Sequence, residues 1–399
     1  MKILFINSVC GIGSTGRICA ELAEQLTAQG HTVKIAYGRQ EYVPEEYAGF
    51  GVKIGNNYGV KAHALLTRLT DRHGFFSKSA TRKFLHWADD FDPDVLWLHN
   101  LHGYYVNVKL LFDWIKSRPQ MQVKWTLHDC WAFTGHCTHF DAVGCQKWKT
   151  QCTHCPEKTS YPGSMLLDRS AKNFKDKHDI FTGVKNMTLV SPSHWLASLV
   201  EQSFLKEYAV RVVHNGIDLS LFTPSPGAFK EKYGLKDKHL LLGVAYGFGE
   251  RKGLQDFIQL SRRLKADTVL ALVGVNQQDT ALLPSNVVAI EKTECLQELV
   301  EAYSDADVLL NLTYEDTFPT VNLEALACGT PVITYRTGGS PESLDDTCGV
   351  VLEQGDIDGI YQSVQRLREH AFAAQACVNR AQQFDKAKML DGYKKLIFE

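Results

Sequence analysis

Short apolar segments alternate with longer amphipathic segments along almost the whole chain. In the first half, the apolar runs predict strands at Lys2–Asn7, His31–Tyr37, Val95–His99, Val123–His128, Met187–Ser191 and Arg211–His214. The amphipathic segment Gly16–Gln29, which ends at Gly30, predicts a helix between the first two strands. Buried strands joined by helices are typical of a parallel sheet that is covered on both faces.

The same alternation restarts after Pro224. It predicts strands at Leu240–Tyr246, Thr268–Val273, Val287–Ile290, Val308–Asn311, Val332–Thr334 and Gly349–Leu352. It predicts helices at Lys252–Leu264, Leu296–Ala306, Pro319–Cys328, Asp356–Arg368 and Lys386–Ile397. The sequence therefore indicates an α/β fold with two Rossmann-like, doubly wound parallel-sheet domains that face a cleft.

The domain boundaries follow from this restart. Residues 1–220 form the predicted first domain, with a cysteine-rich insert near residues 130–156, and residues 221–384 form the second. The hinge is predicted at Asp218–Gly227, and residues 385–399 predict a last helix that packs back on the first domain. Ligands in such domains bind at the carboxyl ends of the strands, beside helix N-termini.

The segment from Asp316 to Glu324 carries the strongest candidate chemistry. Pro319 suits the first position of a helix and Gly329 suits its end, so Asp316 precedes the helix and Glu324 lies in an early turn. Three residues at the helix start would present backbone N–H groups without intrahelical partners: Thr320, Val321 and Asn322. Two acceptors beside a row of donors can hold a sugar nucleotide. The alternative is a solvated loop acid and a helix-surface acid.

Two further loops lie between a strand and a helix. Gly11, Gly13 and Gly16 allow a tight turn in front of a helix N-terminus that can meet an anion. A packing turn without ligand is the alternative, because the acidic residue of a dinucleotide fingerprint is missing. In the second half, Arg251 and Lys252 are placed to meet a diphosphate, unless they are ordinary solvated cations.

Histidines follow predicted strands of the first domain. His99 and His102 follow one strand, and His128 and Asp129 follow the next. Such a histidine can hydrogen-bond a sugar hydroxyl or a phosphate, although a single one is more often structural. His128 is the catalytic candidate. His99, His102 and Asp129 are assigned to the acceptor side, meaning the part of the site that would bind the molecule receiving the sugar.

The cysteine-rich insert indicates a metal site. Cys137, Cys145, Cys152 and Cys155 can supply four thiolates to a structural zinc ion, and the last two form a CxxC pair. Reduced free thiols and disulfides are the alternatives, and a cytosolic location argues against disulfides. A closed site of four sulfurs has no open position for catalysis, and we expect no catalytic metal.

Composition narrows the class of protein. The chain has 399 residues, is 44% apolar and 22% charged, and carries a net charge of −2. These values are ordinary for a globular protein. The small negative net charge gives no general electrostatic attraction for nucleic acid, which is therefore not expected as a partner. The apolar runs are too short to span a membrane or to act as a secretory signal, so we expect a cytoplasmic location.

Residues 61–83 are locally basic. The segment contains six cationic residues and a single acidic residue, Asp71, and leucine and phenylalanine residues are interleaved with them. Such a segment can lie on the anionic inner face of a membrane, which would make the protein peripheral there. An ordinary helix with a solvated face is the alternative.

Taken together, these residues resemble the family 4 glycosyltransferases, which are retaining, Leloir-type enzymes of the GT-B fold. The most specific part runs from Asp316 through Ile333, and Asn215–Asp218, Arg251–Gly253 and Thr337–Gly339 match further landmarks. The segment that starts at His128, with the cysteines after it, is similar to a bacterial branch that builds capsule, colanic-acid-like and other exopolysaccharides.

The resemblance implies a retaining, metal-independent hexosyltransferase. Its donor would be a UDP- or GDP-linked sugar, and its acceptor a saccharide or a lipid-linked oligosaccharide. Glu324 would bind the donor ribose, Asp316 would approach the transferred sugar, and His128 would contact the donor near the reacting centre. Arg251 and Lys252 would neutralise the diphosphate, and the Gly11–Gly16 loop would close over donor phosphates or acceptor.

Three positions depart from the family pattern. Asp316 stands where glutamate is commoner, Pro319 where glycine is frequent, and Tyr246 near a common arginine. The alternatives are a sugar-nucleotide epimerase, a glycogen-synthase-like enzyme of the same fold, and a non-catalytic nucleotide-binding scaffold, and these three departures support the last of them.

Overall fold

The computed structural model describes residues 1–398 and divides into two compact units. The first unit contains Met1–Val213 together with the chain from Leu390 onward, and the second contains His214–Met389. The division at Val213 lies ahead of the predicted boundary at residue 220. In the first unit, the ring of Tyr393 from the last helix packs 5.4 Å from that of Trp97.

The first unit is built on a seven-stranded parallel sheet with strand order β3-β2-β1-β4-β5-β6-β7. The strands are β1 Lys2–Ile6, β2 Thr32–Tyr37, β3 Gly51–Lys53, β4 Val95–Leu98, β5 Gln122–Thr126, β6 Met187–Ser191 and β7 Ala209–Val212. The helices are α1 Gly13–Ala28, α2 Asn57–Thr70, α3 Lys78–Phe91, α4 Val108–Lys116, α5 Ser170–Phe181 and α6 His194–Gln202. The central strands β1, β4 and β5 are buried apart from the first residues of β1 and β5, which explains their continuous apolar runs.

The second unit has a six-stranded parallel sheet with strand order β10-β9-β8-β11-β12-β13. Its strands are β8 His239–Val244, β9 Thr268–Val273, β10 Val287–Ile290, β11 Val308–Asn311, β12 Val332–Tyr335 and β13 Gly349–Leu352. Its helices are α7 Phe229–Lys232, α8 Leu254–Ser261, α9 Gln277–Thr280, α10 Leu296–Asp305, α11 Thr320–Ala327, α12 Ile357–Glu369 and α13 Ala374–Ala381. The last helix, α14 Lys386–Phe398, begins in the second unit and belongs to the first unit from Leu390 onward. The predicted pair of parallel-sheet, Rossmann-like domains is confirmed.

Some elements differ from the prediction. The edge strand β3 was not predicted, because it is short, half-buried and begins at a glycine. Helix α8 begins at Leu254 rather than Lys252, since Gly253 has a left-handed φ of 70° and separates the helix from a 3₁₀ turn at Glu250–Lys252. Pro319 is extended, with φ −73° and ψ 120°, so it caps helix α11 instead of opening it.

Candidate functional site

The glycine loop after β1 is held by a buried glutamine. The side chain of Gln40 accepts a hydrogen bond from Cys10 N at 2.8 Å and donates one to Cys10 O at 2.7 Å. A Cβ on Gly11, which has φ 74°, would overlap the ring of Tyr47, whereas nothing lies within 4 Å of a Cβ built on Gly13. Gly16 packs against Val9. Gly11 and Gly16 thus have a packing role, and Gly13 leaves open space at the start of helix α1.

The ends of β4 and β5 bring two of the predicted histidines together. His99 Nδ1 lies 3.0 Å from His128 Nε2, and the two rings are nearly parallel at 18°. Burial lowers the pKa of both imidazoles, that of His128 to about 4. Both rings are therefore neutral near pH 7, so His128 is suited to hydrogen bonding rather than to carrying charge.

The other two predicted residues of this group also pair. His102 Nε2 lies 2.7 Å from Asp129 Oδ2, and His102 Nδ1 lies 3.2 Å from the hydroxyl of Tyr161. Burial alone would raise the pKa of Asp129, but the charge and hydrogen bond of His102 lower it to about 2. The carboxylate also accepts a hydrogen bond from Trp131 N at 2.9 Å. The structure thus brings together His99, His102, His128 and Asp129.

Sequence reasoning missed part of this group. His73 is 3% exposed, its Nε2 accepts a hydrogen bond from Gly103 N at 3.1 Å, and its ring lies 4.6 Å from that of Tyr104. Lys177 is also buried and donates to the carbonyl oxygens of Trp131 and Thr134 at 2.7 and 3.0 Å. Burial lowers the pKa of this lysine to about 7. His73 lies inside the basic segment 61–83, whose charge pattern gave no sign that it is buried.

The cysteine-rich insert has little regular structure beyond two 3₁₀ turns, Trp131–Phe133 and Lys147–Lys149. Cys137 and Cys155 are hydrogen-bonded to each other, while Cys152 accepts a hydrogen bond from Gly135 N at 3.3 Å. Within residues 1–398, no three of Cys137, Cys145, Cys152 and Cys155 have all their sulfur atoms within 4.8 Å of one another. The four thiols are therefore neighbours without forming a closed tetrahedral set.

In the second unit, the two predicted cations are paired with adjacent carboxylates. Arg251 Nη1 lies 2.9 Å from Glu315 Oε2, and Lys252 Nζ lies 2.9 Å from Asp316 Oδ2. The cations are 38% and 37% exposed, whereas the side chain of Glu315 is 2% exposed. Glu315 was not predicted as part of the site, although it stands directly before Asp316. This arrangement holds two accessible positive groups at the start of helix α8.

Glu324 is paired with a buried tyrosine that the sequence did not reveal. The hydroxyl of Tyr303, on helix α10, donates to Glu324 Oε2 at 2.7 Å. Burial raises the pKa of Glu324, and hydrogen bonds from Tyr303 and Thr320 partly offset this effect. Because Tyr303 fixes one carboxylate oxygen of the half-buried Glu324, the direction of the other oxygen is fixed as well.

A polar network fixes the start of helix α11. The side chain of Asn322 donates to Ser340 Oγ at 2.9 Å and Ser343 Oγ at 3.0 Å, and it accepts from Asn311 Nδ2 at 2.8 Å. The side chain of Asn322 is thus structural, and ligand binding at Thr320, Val321 and Asn322 would use the backbone amides at the helix start.

The loop at Gly338 lies against the Asp316 backbone. Gly338 has φ 53°, and a Cβ there would overlap the carbonyl oxygen of Asp316. Only glycine permits this close approach. Acids, cations and helix amides therefore share one end of the sheet, and this arrangement suits an anionic, polyhydroxylated ligand.

Comparison with known proteins identifies the chain as a glycosyltransferase, the class that its sequence resembles. Glycosyltransferase Family 4 matches residues 15–221, and Glycosyl transferases group 1 matches residues 227–384. WcaC of Escherichia coli (strain K12), named as a colanic acid biosynthesis glycosyl transferase, is 26% identical over 371 residues, which are 90% of this chain and 88% of WcaC. A D-inositol 3-phosphate glycosyltransferase of Mycolicibacterium smegmatis is 27% identical over 46% of this chain and 45% of its own length.

Solved structures share the fold. Sucrose-phosphate synthase of Thermosynechococcus elongatus superposes with a TM-score of 0.72 at 16% identity, covering 99% of this chain and 98% of the synthase. HepE of Anabaena, solved in complex with UDP, superposes with a TM-score of 0.66 at 15% identity over 100% and 99% of the two chains.

The fold and the family matches define a GT-B glycosyltransferase. The chain belongs to glycosyltransferase family 4. The predicted resemblance to family 4 glycosyltransferases is confirmed at the level of family and fold. Across residues 1–398, we find no helix with both the length and the apolar character needed to cross a membrane.

Proposed function

We propose that this protein is a retaining glycosyltransferase of cell-surface polysaccharide synthesis, such as capsule or exopolysaccharide. It would move a sugar from a nucleotide-sugar donor to a saccharide or a lipid-linked oligosaccharide. The observation that carries the proposal is the pair of ion pairs, Arg251–Glu315 and Lys252–Asp316, at the start of helix α8.

The two cations are suited to a diphosphate. Each one lies 2.9 Å from a carboxylate oxygen and remains more than one third exposed. A diphosphate carries more negative charge than a single carboxylate and can be bound by arginine in a bidentate way. HepE, which shares the fold, has been solved with UDP and with UDP-glucose, which supports a UDP- or GDP-linked donor.

Other residues would complete the donor site. Glu324, oriented by Tyr303, would accept hydrogen bonds from the ribose hydroxyls. Asp316, released from Lys252 when the diphosphate binds, would accept from hydroxyls of the transferred sugar. The backbone amides of Thr320 and Val321 would add donors at the positive end of helix α11.

The chemical step would need no catalytic metal and no protein nucleophile. Arg251 and Lys252 would stabilise the negative charge that develops on the leaving diphosphate. The leaving phosphate would take the proton from the acceptor hydroxyl as this hydroxyl attacks the same face of the sugar, which retains the configuration. His128, neutral and oriented by His99, would hydrogen-bond the sugar near the reacting carbon.

A surface of the first unit suits peripheral contact with the inner membrane face. Helix α2 and the loop joined to it carry five exposed apolar side chains, here called the apolar patch: Leu65, Leu69, Met165, Leu166 and Leu167. Met165 N donates to Arg68 O at 2.8 Å, which joins the loop to the helix. The exposed cations Lys61 and Arg68 belong to the same helix and can attract anionic lipid.

We also propose that the insert binds structural zinc through Cys137, Cys145, Cys152 and Cys155. Their proximity in a segment of little regular structure supports this, because a metal could fix such a segment. Metal analysis of the purified protein should find one zinc per chain, reduced by Cys152→Ser together with Cys155→Ser. A zinc-free, folded protein with titratable thiols would contradict this proposal.

The donor proposal can be tested by thermal unfolding with UDP, GDP and ADP, and with the matching monophosphates. One diphosphate should raise the melting temperature more than its monophosphate, because a ligand that binds only the folded state stabilises it. Arg251→Ala should remove this difference, whereas Arg263→Ala, an exposed residue of the same unit paired with Asp358, should retain it.

Product analysis separates the alternatives. Transfer requires an acceptor and releases the nucleoside diphosphate, whereas an epimerase would convert the donor sugar without an acceptor. Nucleotide binding with neither reaction would favour a non-catalytic scaffold.

A further inference from the structure

The first unit contains a cavity of about 700 Å³ between β3, α2 and α3. This volume lies in the range of roughly 300–1,000 Å³ that is typical of small-molecule sites. None of the residues assigned above to the donor, to the histidine group or to the cysteine-rich insert lines it. The cavity therefore needs an explanation of its own.

Most of the cavity wall is apolar. Helix α2 contributes Val60 and Leu66, and helix α3 contributes Phe84 and Trp87. The ring of Trp87 lies 6.0 Å from that of Phe84, so the two aromatic side chains form a continuous surface. Such a wall favours a hydrocarbon chain over a sugar, because burial of apolar surface is favourable only for apolar partners.

The charges around the cavity all have one sign. Lys53, Lys78 and Lys83 line it, and among the described lining residues there is no aspartate or glutamate. Lys78 and Lys83 are exposed on helix α3, while Lys53 donates to Asn57 Oδ1 at 3.1 Å. An anionic group is the complementary partner for these three ammonium groups.

The histidine in the wall adds no charge near neutral pH. Gly74 N donates to His63 Nε2 at 3.2 Å, so Nδ1 carries the ring proton and donates to Ser77 Oγ at 2.8 Å. Burial lowers the pKa of His63 to about 4. The lysines therefore determine the charge of the cavity.

We propose that this cavity binds the phosphate and the first part of the apolar chain of a lipid-linked acceptor. The apolar wall would hold the chain, and Lys53, Lys78 and Lys83 would hold the phosphate. Leu66 lines the cavity and is 40% exposed, next to Leu65 of the apolar patch, so a chain could pass from a membrane into the cavity. The role as acceptor site rests on the proposed transferase function, but binding itself does not.

The test measures binding of farnesyl phosphate to the full-length protein by calorimetry, without donor. Farnesol, inorganic phosphate and dihexanoyl phosphatidylglycerol serve as comparison ligands. Farnesyl phosphate should bind at least tenfold more tightly than each of them. The double variant Lys78→Glu, Lys83→Glu should weaken this binding at least tenfold, and Arg82→Glu, an exposed charge on the same helix that does not line the cavity, should change it less than twofold.

A second variant keeps the charges and fills the space. Ala62, an exposed residue of helix α2, lines the cavity, so Ala62→Trp should block the chain while the melting temperature stays close to that of the wild type. Unchanged binding in both cavity variants would overturn the proposal. Equal binding of farnesol, inorganic phosphate or phosphatidylglycerol would also overturn it, by identifying a general apolar, anion or bilayer-lipid site.

Nucleotide-dependent melting shifts, measured on the same variants, separate this inference from the transferase proposal. Retained donor binding with no farnesyl phosphate binding would refute only the proposal that the cavity binds a lipid-linked phosphate. Farnesyl phosphate binding without any nucleotide shift would refute only the donor site.

Discussion

The two units place different chemistry at the ends of similar parallel sheets. In the first unit, the imidazoles of His99 and His128 pair with each other at 3.0 Å, and burial lowers the pKa of both. In the second unit, half-exposed cations pair with carboxylates, as in Arg251–Glu315 and Lys252–Asp316. Burial organises the first group, whereas opposite charges organise the second.

This difference has a consequence for how each group can act. A neutral imidazole in a dry environment keeps a fixed hydrogen-bonding direction, since charging it would require a large desolvation cost. A partly exposed ion pair such as Lys252–Asp316 contributes little stability in water and can exchange its partner for a more highly charged ligand. The first group is therefore suited to positioning, and the second to binding and stabilising a charged leaving group.

Removal of the cations should give the largest effect. If they stabilise the leaving diphosphate, Lys252→Ala and Arg251→Ala should each lower the rate of sugar transfer by roughly 10²–10³-fold, as for other preorganised transition-state donors. Rates should be measured at saturating donor, with Arg263→Ala as the matched control in the same unit. A loss confined to KM would show instead that the cations bind substrate and transition state equally.

Acid should affect the first unit selectively. The pKa values of His63 and His128 are lowered to about 4, so the unfolded chain, with histidine near 6.5, binds more protons between these values. Stability is therefore present above pH 6.5 and is lost as the pH falls towards 4, at about 1.4 kcal/mol per pH unit for each histidine. Asp141, whose pKa burial raises to about 6, partly offsets this loss.

Tryptophan fluorescence can isolate that unit. All seven tryptophans lie between Trp87 and Trp195, inside the first unit. Urea unfolding followed by this signal should show the unfolding free energy decreasing as the pH falls from 6.5 to 5. His63→Gln should reduce the slope, whereas His86→Gln, an exposed histidine on helix α3, should not. A pH-independent unfolding free energy would refute the buried neutral state.

The sequence predicted the strands and the residues that follow them better than it predicted the side-chain pairs of the site. Thr268–Val273 and Val308–Asn311 were predicted to the residue, because strands buried on both faces leave uninterrupted apolar runs. The topology of parallel sheets then placed His99, His128 and Arg251 at strand ends. Residue pairs such as Tyr303–Glu324 and Arg251–Glu315 could not be predicted, since they depend on register and packing between distant or adjacent elements.

Neutralising Glu324 should have a smaller effect than removing a cation. Glu324→Gln keeps the shape of the side chain but weakens charge-assisted hydrogen bonds to ribose, each worth about 1.5–3 kcal/mol. We expect the dissociation constant of the nucleotide to rise at least tenfold, measured by calorimetry. Tyr303→Phe removes only the orienting hydroxyl and should raise it less. An equal effect of both variants would assign the pair a structural role.

The smallest expected effect concerns the membrane surface, which only the first unit carries in this proposal. Arg68→Ala should weaken binding to vesicles with anionic lipid by about 1 kcal/mol, or roughly fivefold, because one basic residue near the surface contributes that much. Flotation with vesicles of neutral and anionic lipid measures this, and Lys236→Ala, an exposed cation of the second unit, is the matched control. Since the attraction is electrostatic, the difference between Arg68→Ala and the wild type should shrink as salt is raised. If Lys236→Ala lost as much binding as Arg68→Ala, membrane contact would involve both units. The proposed contrast, in which only the first unit contacts the membrane, would then be wrong.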